Sequence, residues 1–85
     1  MVEEIPMYVG IKEVKPLKDY KLKLKFENGE EKIFDLKPYL DLGKFFELRN
    51  EELFTKVRIN FDTIEWPNGI DLDPEFLYKH SKNNT

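Results

Sequence analysis

Tyr20, Leu22, Leu24 and Phe26 alternate with Lys21, Lys23, Lys25 and Glu27. A period of two over eight residues predicts a strand with one buried and one wet face. Asn28-Gly29 follows, and residues 30–36 carry Phe34 and Leu36 on one parity. The parity selects the turn. A two-residue loop at Asn28-Gly29 would set Leu22 against Asp35 and Tyr20 against Lys37, splitting the apolar set between faces. A three-residue loop, Glu27-Asn28-Gly29 with Gly29 in the left-handed region, sets Leu22 against Phe34 and Tyr20 against Leu36. It also sets Lys21 against Asp35 and Lys25 against Glu31, pairs of opposite sign. The cost is that Leu24 meets Lys32 and Ile33 lands on the wet side. Upstream, residues 8–15 predict a first strand through Val9, Ile11 and Val14, with imperfect alternation, interrupted by Pro16 and Lys18-Asp19.

Beyond the hairpin the period changes. Pro38 suits the first position of a short helix through Leu42, and Gly43 is a natural stop. Residues 44–48 predict another turn or two of helix. Asn50 is placed to cap residues 51–56, with acids in the first turn. Val57, Ile59 and Phe61 then alternate with Arg58 and Asn60. Asp62-Thr63 predicts a turn, and Ile64-Glu65-Trp66 the returning strand. Asn68-Gly69 predicts a tight turn into a short extended piece at residues 70–72, and Pro74 opens a last helix to about Lys79. The fold class expected is α+β: a small antiparallel sheet of two hairpins plus an N-terminal strand, with short helices packed on one face. The chain reads as one domain, 1–85, ordered over about 8–80 with loose ends at 1–7 and 81–85.

Composition narrows the function classes. The 85 residues make one small core, 40% hydrophobic and 14% aromatic, and the net charge of −3 does not recruit nucleic acid or an anionic membrane. The absence of cysteine removes disulfides, thiolate metal sites and thiol nucleophiles, and fits a cytoplasmic protein. The first ten residues carry Glu3 and Glu4 and no long apolar run, unlike a signal peptide, and no apolar stretch is long enough to span a membrane.

Two stretches carry a resemblance: "VKPLKDYKLKLKFENGEEKIFDLKPYL", residues 14–40, and "LFTKVRINFDTIEWPNGIDLDPEFLY", residues 53–78. Both resemble the bacterial domain-of-unknown-function family 2442, and "IEWPNGIDLDPEFLY" is the most specific part. The resemblance implies a small α+β domain. Some relatives place it before a helix-turn-helix domain, for which these 85 residues leave no room. Others are encoded beside a second small protein and look antitoxin-like. The family supplies no catalytic residues.

The residues themselves offer few sites. Asp71-x-Asp73 is the start of a calcium loop only in part, because Phe76 and Lys82 stand where its glycine and glutamate belong. Asp73 reads better as a helix cap before Pro74. Lone His80 is a poor start for a zinc site. The lysines of the alternating strand read as a charge-paired, solvated face. Glu65, beside Trp66, has a raised pKa if it is buried. No metal, cofactor or catalytic set is assigned, and no glycine-rich phosphate loop is present. The expected function is a small non-catalytic protein-interaction or regulatory module, antitoxin-like in a two-gene pair. It would act as a monomer or weak homodimer, without direct nucleic-acid or membrane binding, meeting its protein partner through Trp66, Asn68 and Asp71. Trp is enriched in interface hot spots, and a proline-flanked turn presents it at small ordering cost. The alternative is a small-ligand-binding protein or enzyme with a pocket near Glu65, Trp66 and Asp71.

Overall fold

The computed structural model describes residues 9–83; the expected loose end at 1–7 lies outside them. Among the described residues, seven strands and two short α-helices, joined by 3-10 turns, form an α+β fold. The strands divide into two antiparallel sheets rather than one. The first holds β1 (Ile11–Leu17), β2 (Lys21–Phe26), β3 (Glu31–Asp35) and β7 (Lys82–Asn83), in that order. The second holds β4 (Arg58–Asn60), β5 (Thr63–Glu65) and β6 (Asp71–Leu72). The pairing of β7 with Lys32 and Ile33 corrects the expectation that the chain is loose from residue 81.

The β2–β3 register is the one the parity demands: Leu22 faces Phe34, Lys21 faces Asp35 and Lys25 faces Glu31. Leu36 N–H donates to the Tyr20 carbonyl at 2.9 Å, extending the same register, and Gly29 has φ +91°. The misfit of Leu24 against Lys32 has a physical answer. The Lys32 ammonium lies 4.1 Å from the centre of the Tyr78 ring and donates to the Tyr78 carbonyl at 3.3 Å. Its stem covers apolar surface while its charge is met. The poor alternation of β1 also resolves. Ile11 faces Phe26 and Val14 faces Leu24, so three steps on β1 match two on β2, and a bulge in between lets both apolar residues face the core.

The second Asn-Gly repeats the first. In each, the residue before a three-residue loop donates its N–H across to the residue after it: Phe26 to Glu30 and Trp66 to Ile70, both at 2.8 Å. Gly29 and Gly69 close the turns at φ +91° and +93°, where a side chain is strained. In each, the asparagine side chain accepts from the N–H two residues on, at 3.0 and 3.2 Å.

Helix α1 (Glu51–Phe54) is capped as expected, the Asn50 side chain accepting from Glu52 N–H and Leu53 N–H. Helix α2 (Pro74–His80) starts after Asp73, but the Asp73 side chain makes no capping hydrogen bond, so that expectation holds for position and not for bonding. The short helical segments expected at 38–42 and 44–48 are wound as 3-10 turns, Lys37–Tyr39 and Gly43–Arg49, and Gly43 begins the second turn instead of ending a helix. The core gathers the even face of β2, Phe34 and Leu36, then Leu48, Phe54, Ile64, Trp66, Ile70, Leu72 and Leu77. Phe76 and Tyr78 of α2 meet Phe34 and Phe26 edge-on at 5.9 and 5.1 Å, which seats the helix on the first sheet.

Candidate functional site

Trp66 is not a surface residue. Its exposure is 0%, its indole N–H donates to the Phe54 carbonyl at 2.9 Å, and its ring stacks on Phe54. The reason is the period of β5: Ile64 faces in, Glu65 out, Trp66 in. Asn68 is held internally, its amide donating to Glu47 at 2.9 Å and its carbonyl accepting from Ile70 N–H. Asp71 alone of the three is exposed, directly across from Glu65. Glu65, Trp66 and Asp71 therefore do not converge on a pocket: the two carboxylates share the outer face, and the indole points the other way.

Glu65 accepts from Arg58 at 3.1 Å and from Asn60 at 2.6 Å. These hydrogen bonds favour the carboxylate and hold its pKa below the usual value, the opposite of the shift expected from burial. Among the described residues no group of three or more His, Asp or Glu is placed to hold a metal ion. His80 lies exposed against the Phe76 ring, centroids 4.5 Å apart.

The residue that the sequence reading missed is Phe61. It is 93% exposed, with φ +63°. The turn joining β4 to β5 is Phe61-Asp62, one residue earlier than expected, because Ile59 pairs with Ile64 and Asn60 with Thr63. A positive φ at the first loop residue and not the second is the pattern in which glycine is favoured. The Asp62 carbonyl accepts from Ile11 N–H at 3.0 Å, fastening this turn to the start of β1. Leu42 and Phe46 are also exposed, at 56% and 59%.

Grooves on the surface of the described residues include two of note. One, about 600 Å³, lies between the outer face of β1–β2 and β4; Lys15, Lys23, Lys25 and Arg58 ring it with Glu13 and Glu31, above Val57 and Ile59, and the edge of β1 at Val14 forms one wall. The other, about 550 Å³, runs beside Pro16, Leu17, Tyr20, Glu51 and Phe54. Neither includes Glu65, Trp66 or Asp71. Of the lysine row, Lys23 pairs with Glu31 at 3.8 Å.

The family described as "Protein of unknown function (DUF2442)" matches residues 11–83. No curated protein and no solved structure matches the chain.

Proposed function

This chain belongs to the DUF2442 family of proteins of unknown function, and we propose that it is a non-catalytic module that binds another protein, antitoxin-like in a two-gene pair and resident in a bacterial cytoplasm. The observation that carries the reading is Phe61. A phenylalanine 93% exposed and held at φ +63° contributes little to folding. The left-handed conformation costs about 1–2 kcal/mol for a residue with a Cβ, and glycine or asparagine would relieve it while removing apolar surface from water. A residue that is unfavourable on both counts is better explained by what it touches outside the chain. The hairpin tip is fastened to β1, so the ring is presented with little ordering cost.

Two measurements at position 61 test this. Phe61→Gly should raise stability to denaturant by about 0.5–1 kcal/mol, through relief of backbone strain. The second measures capture of the partner. The probe for capture is a photo-crosslinking phenylalanine analogue at position 61, irradiated in the source cells. A discrete protein adduct is expected from position 61 and not from exposed position 75 on α2. Absence of any adduct at 61, or equal adducts at both positions, would overturn the reading.

A further inference from the structure

We propose that the groove between β1–β2 and β4 is the docking site for an extended acidic segment of a protein partner, in which carboxylates alternate with apolar residues. The inference rests on the interaction reading but on different residues.

Charge is the first reason. The chain carries a net charge of −3, yet four cations ring this groove against two carboxylates. Lys15 and Lys23 stand directly opposite each other across β1 and β2, and like charges so placed destabilise a sheet. Lys23 and Arg58 are paired, with Glu31 and Glu65. Lys15 and Lys25 take part in no ion pair among the described residues.

The backbone is the second reason. Phe26 N–H donates to Glu30, and Leu36 N–H to Tyr20, so the even residues of β2 bond β3 and the odd residues bond β1. On β1 the partners of those odd residues are Glu13, Lys15 and Leu17. Val14 and Pro16 therefore turn their backbone groups outward. Pro16 has no N–H to leave unmet there, as a free edge allows. On β4 the two-residue turn closes on Asn60 and Thr63, so the backbone groups of Ile59 point away from β5. Val14 and Ile59 both line the groove, and neither finds a backbone partner among the described residues. An edge unpaired among the described residues, beside an apolar floor, is the arrangement used in strand addition, where the main chain supplies hydrogen bonds and alternate side chains supply specificity. An added strand would send one parity to Val57 and Ile59 and the other to the lysines. Nucleic acid fits less well: the lining offers no aromatic ring for a base to stack on, and two glutamates stand in the path of a phosphate backbone.

The test is selection from a displayed library of random dodecapeptides on the immobilised chain, followed by synthesis of the enriched peptides. Enriched sequences should alternate Asp or Glu with Val, Ile or Leu. Titration should shift the amide resonances of Val14, Lys15, Lys25 and Ile59. The double variant K15E/K25E, folded by circular dichroism, should weaken binding at least tenfold, and raised salt should weaken it too. Glu75→Gln, on the exposed face of α2 and outside the groove, should leave peptide binding unchanged. Enrichment of basic or uncharged peptides, shifts confined to other surfaces, or equal binding by K15E/K25E would overturn the groove. Equal displacement by a single-stranded oligonucleotide of the same charge would assign the groove to nucleic acid instead. If the groove fails while crosslinking at position 61 succeeds, only this inference falls; if crosslinking at position 61 fails, the reading carried by Phe61 falls, whichever way the groove test comes out.

Discussion

Trp66 fills the space between α1 and the second sheet, and its indole N–H is the hydrogen-bond partner of the Phe54 carbonyl. Trp66→Phe keeps an aromatic ring but leaves that carbonyl unmet, which should cost about 1–3 kcal/mol. Trp66→Ala adds a cavity and should cost about 3–5 kcal/mol, most of the stability of a domain this small. Denaturant titration of the variants by circular dichroism measures both. In the native chain the single tryptophan should emit blue-shifted and resist an aqueous quencher, and emission typical of free tryptophan would contradict the packing. The burial of Trp66 was legible in Ile64-Glu65-Trp66, whose alternation with Glu65 outside places Trp66 inside. The flanking Pro67 and Asn68 point instead to a rim position, and that weaker local signal is the one that misleads.

The two α-helices test what a cap contributes. Asn50 accepts two backbone hydrogen bonds at the start of α1, at 2.9 and 3.3 Å, whereas Asp73 makes none at the start of α2. Asn50→Ala should therefore cost about 1 kcal/mol. Asp73→Ala should cost only about 0.3 kcal/mol, the residual interaction of an exposed charge with the helix dipole. Equal losses in chemical denaturation would show that position, not bonding, decides. Both helix starts stand in the sequence because each needs only a few neighbouring residues. The 3-10 turns at Lys37–Tyr39 and Gly43–Arg49 were not legible as such. Their helical preference is the same as for an α-helix, and the tighter winding is set by what they pack against, Tyr39 on Phe34 and Leu48 in the core.

Across the whole molecule, charge is spread along the outer faces of two sheets. On the second sheet Arg58 and Asn60 both bond Glu65, and this lowers its pKa from the usual 4.5. A carboxyl whose folded pKa lies below its unfolded value adds stability above the unfolded pKa, and that stability fades as pH falls through the folded one. Glu65→Gln should thus be less stable than the parent near neutral pH, with the difference shrinking below about pH 4.5. Denaturant midpoints measured across that range check the sign; a difference independent of pH would remove the charge-assisted bonds as its cause. On the first sheet, Glu30 near the Tyr78 hydroxyl holds that phenol above its ordinary value.

By itself the sequence determined the β2–β3 hairpin, its three-residue loop, the capped start of α1 and the α+β class, because each rests on contacts near in the chain or on a period that only one register satisfies. It also carried the family resemblance. Tertiary structure alone decided that the strands form two sheets, that Lys82-Asn83 completes the first, and that the β4–β5 turn falls on Phe61. Local propensity favours Asp62-Thr63 for that turn. The register instead answers to the burial of Ile64 and Trp66 against residues far away in sequence, and that demand leaves Phe61 outside, in a conformation its own side chain opposes.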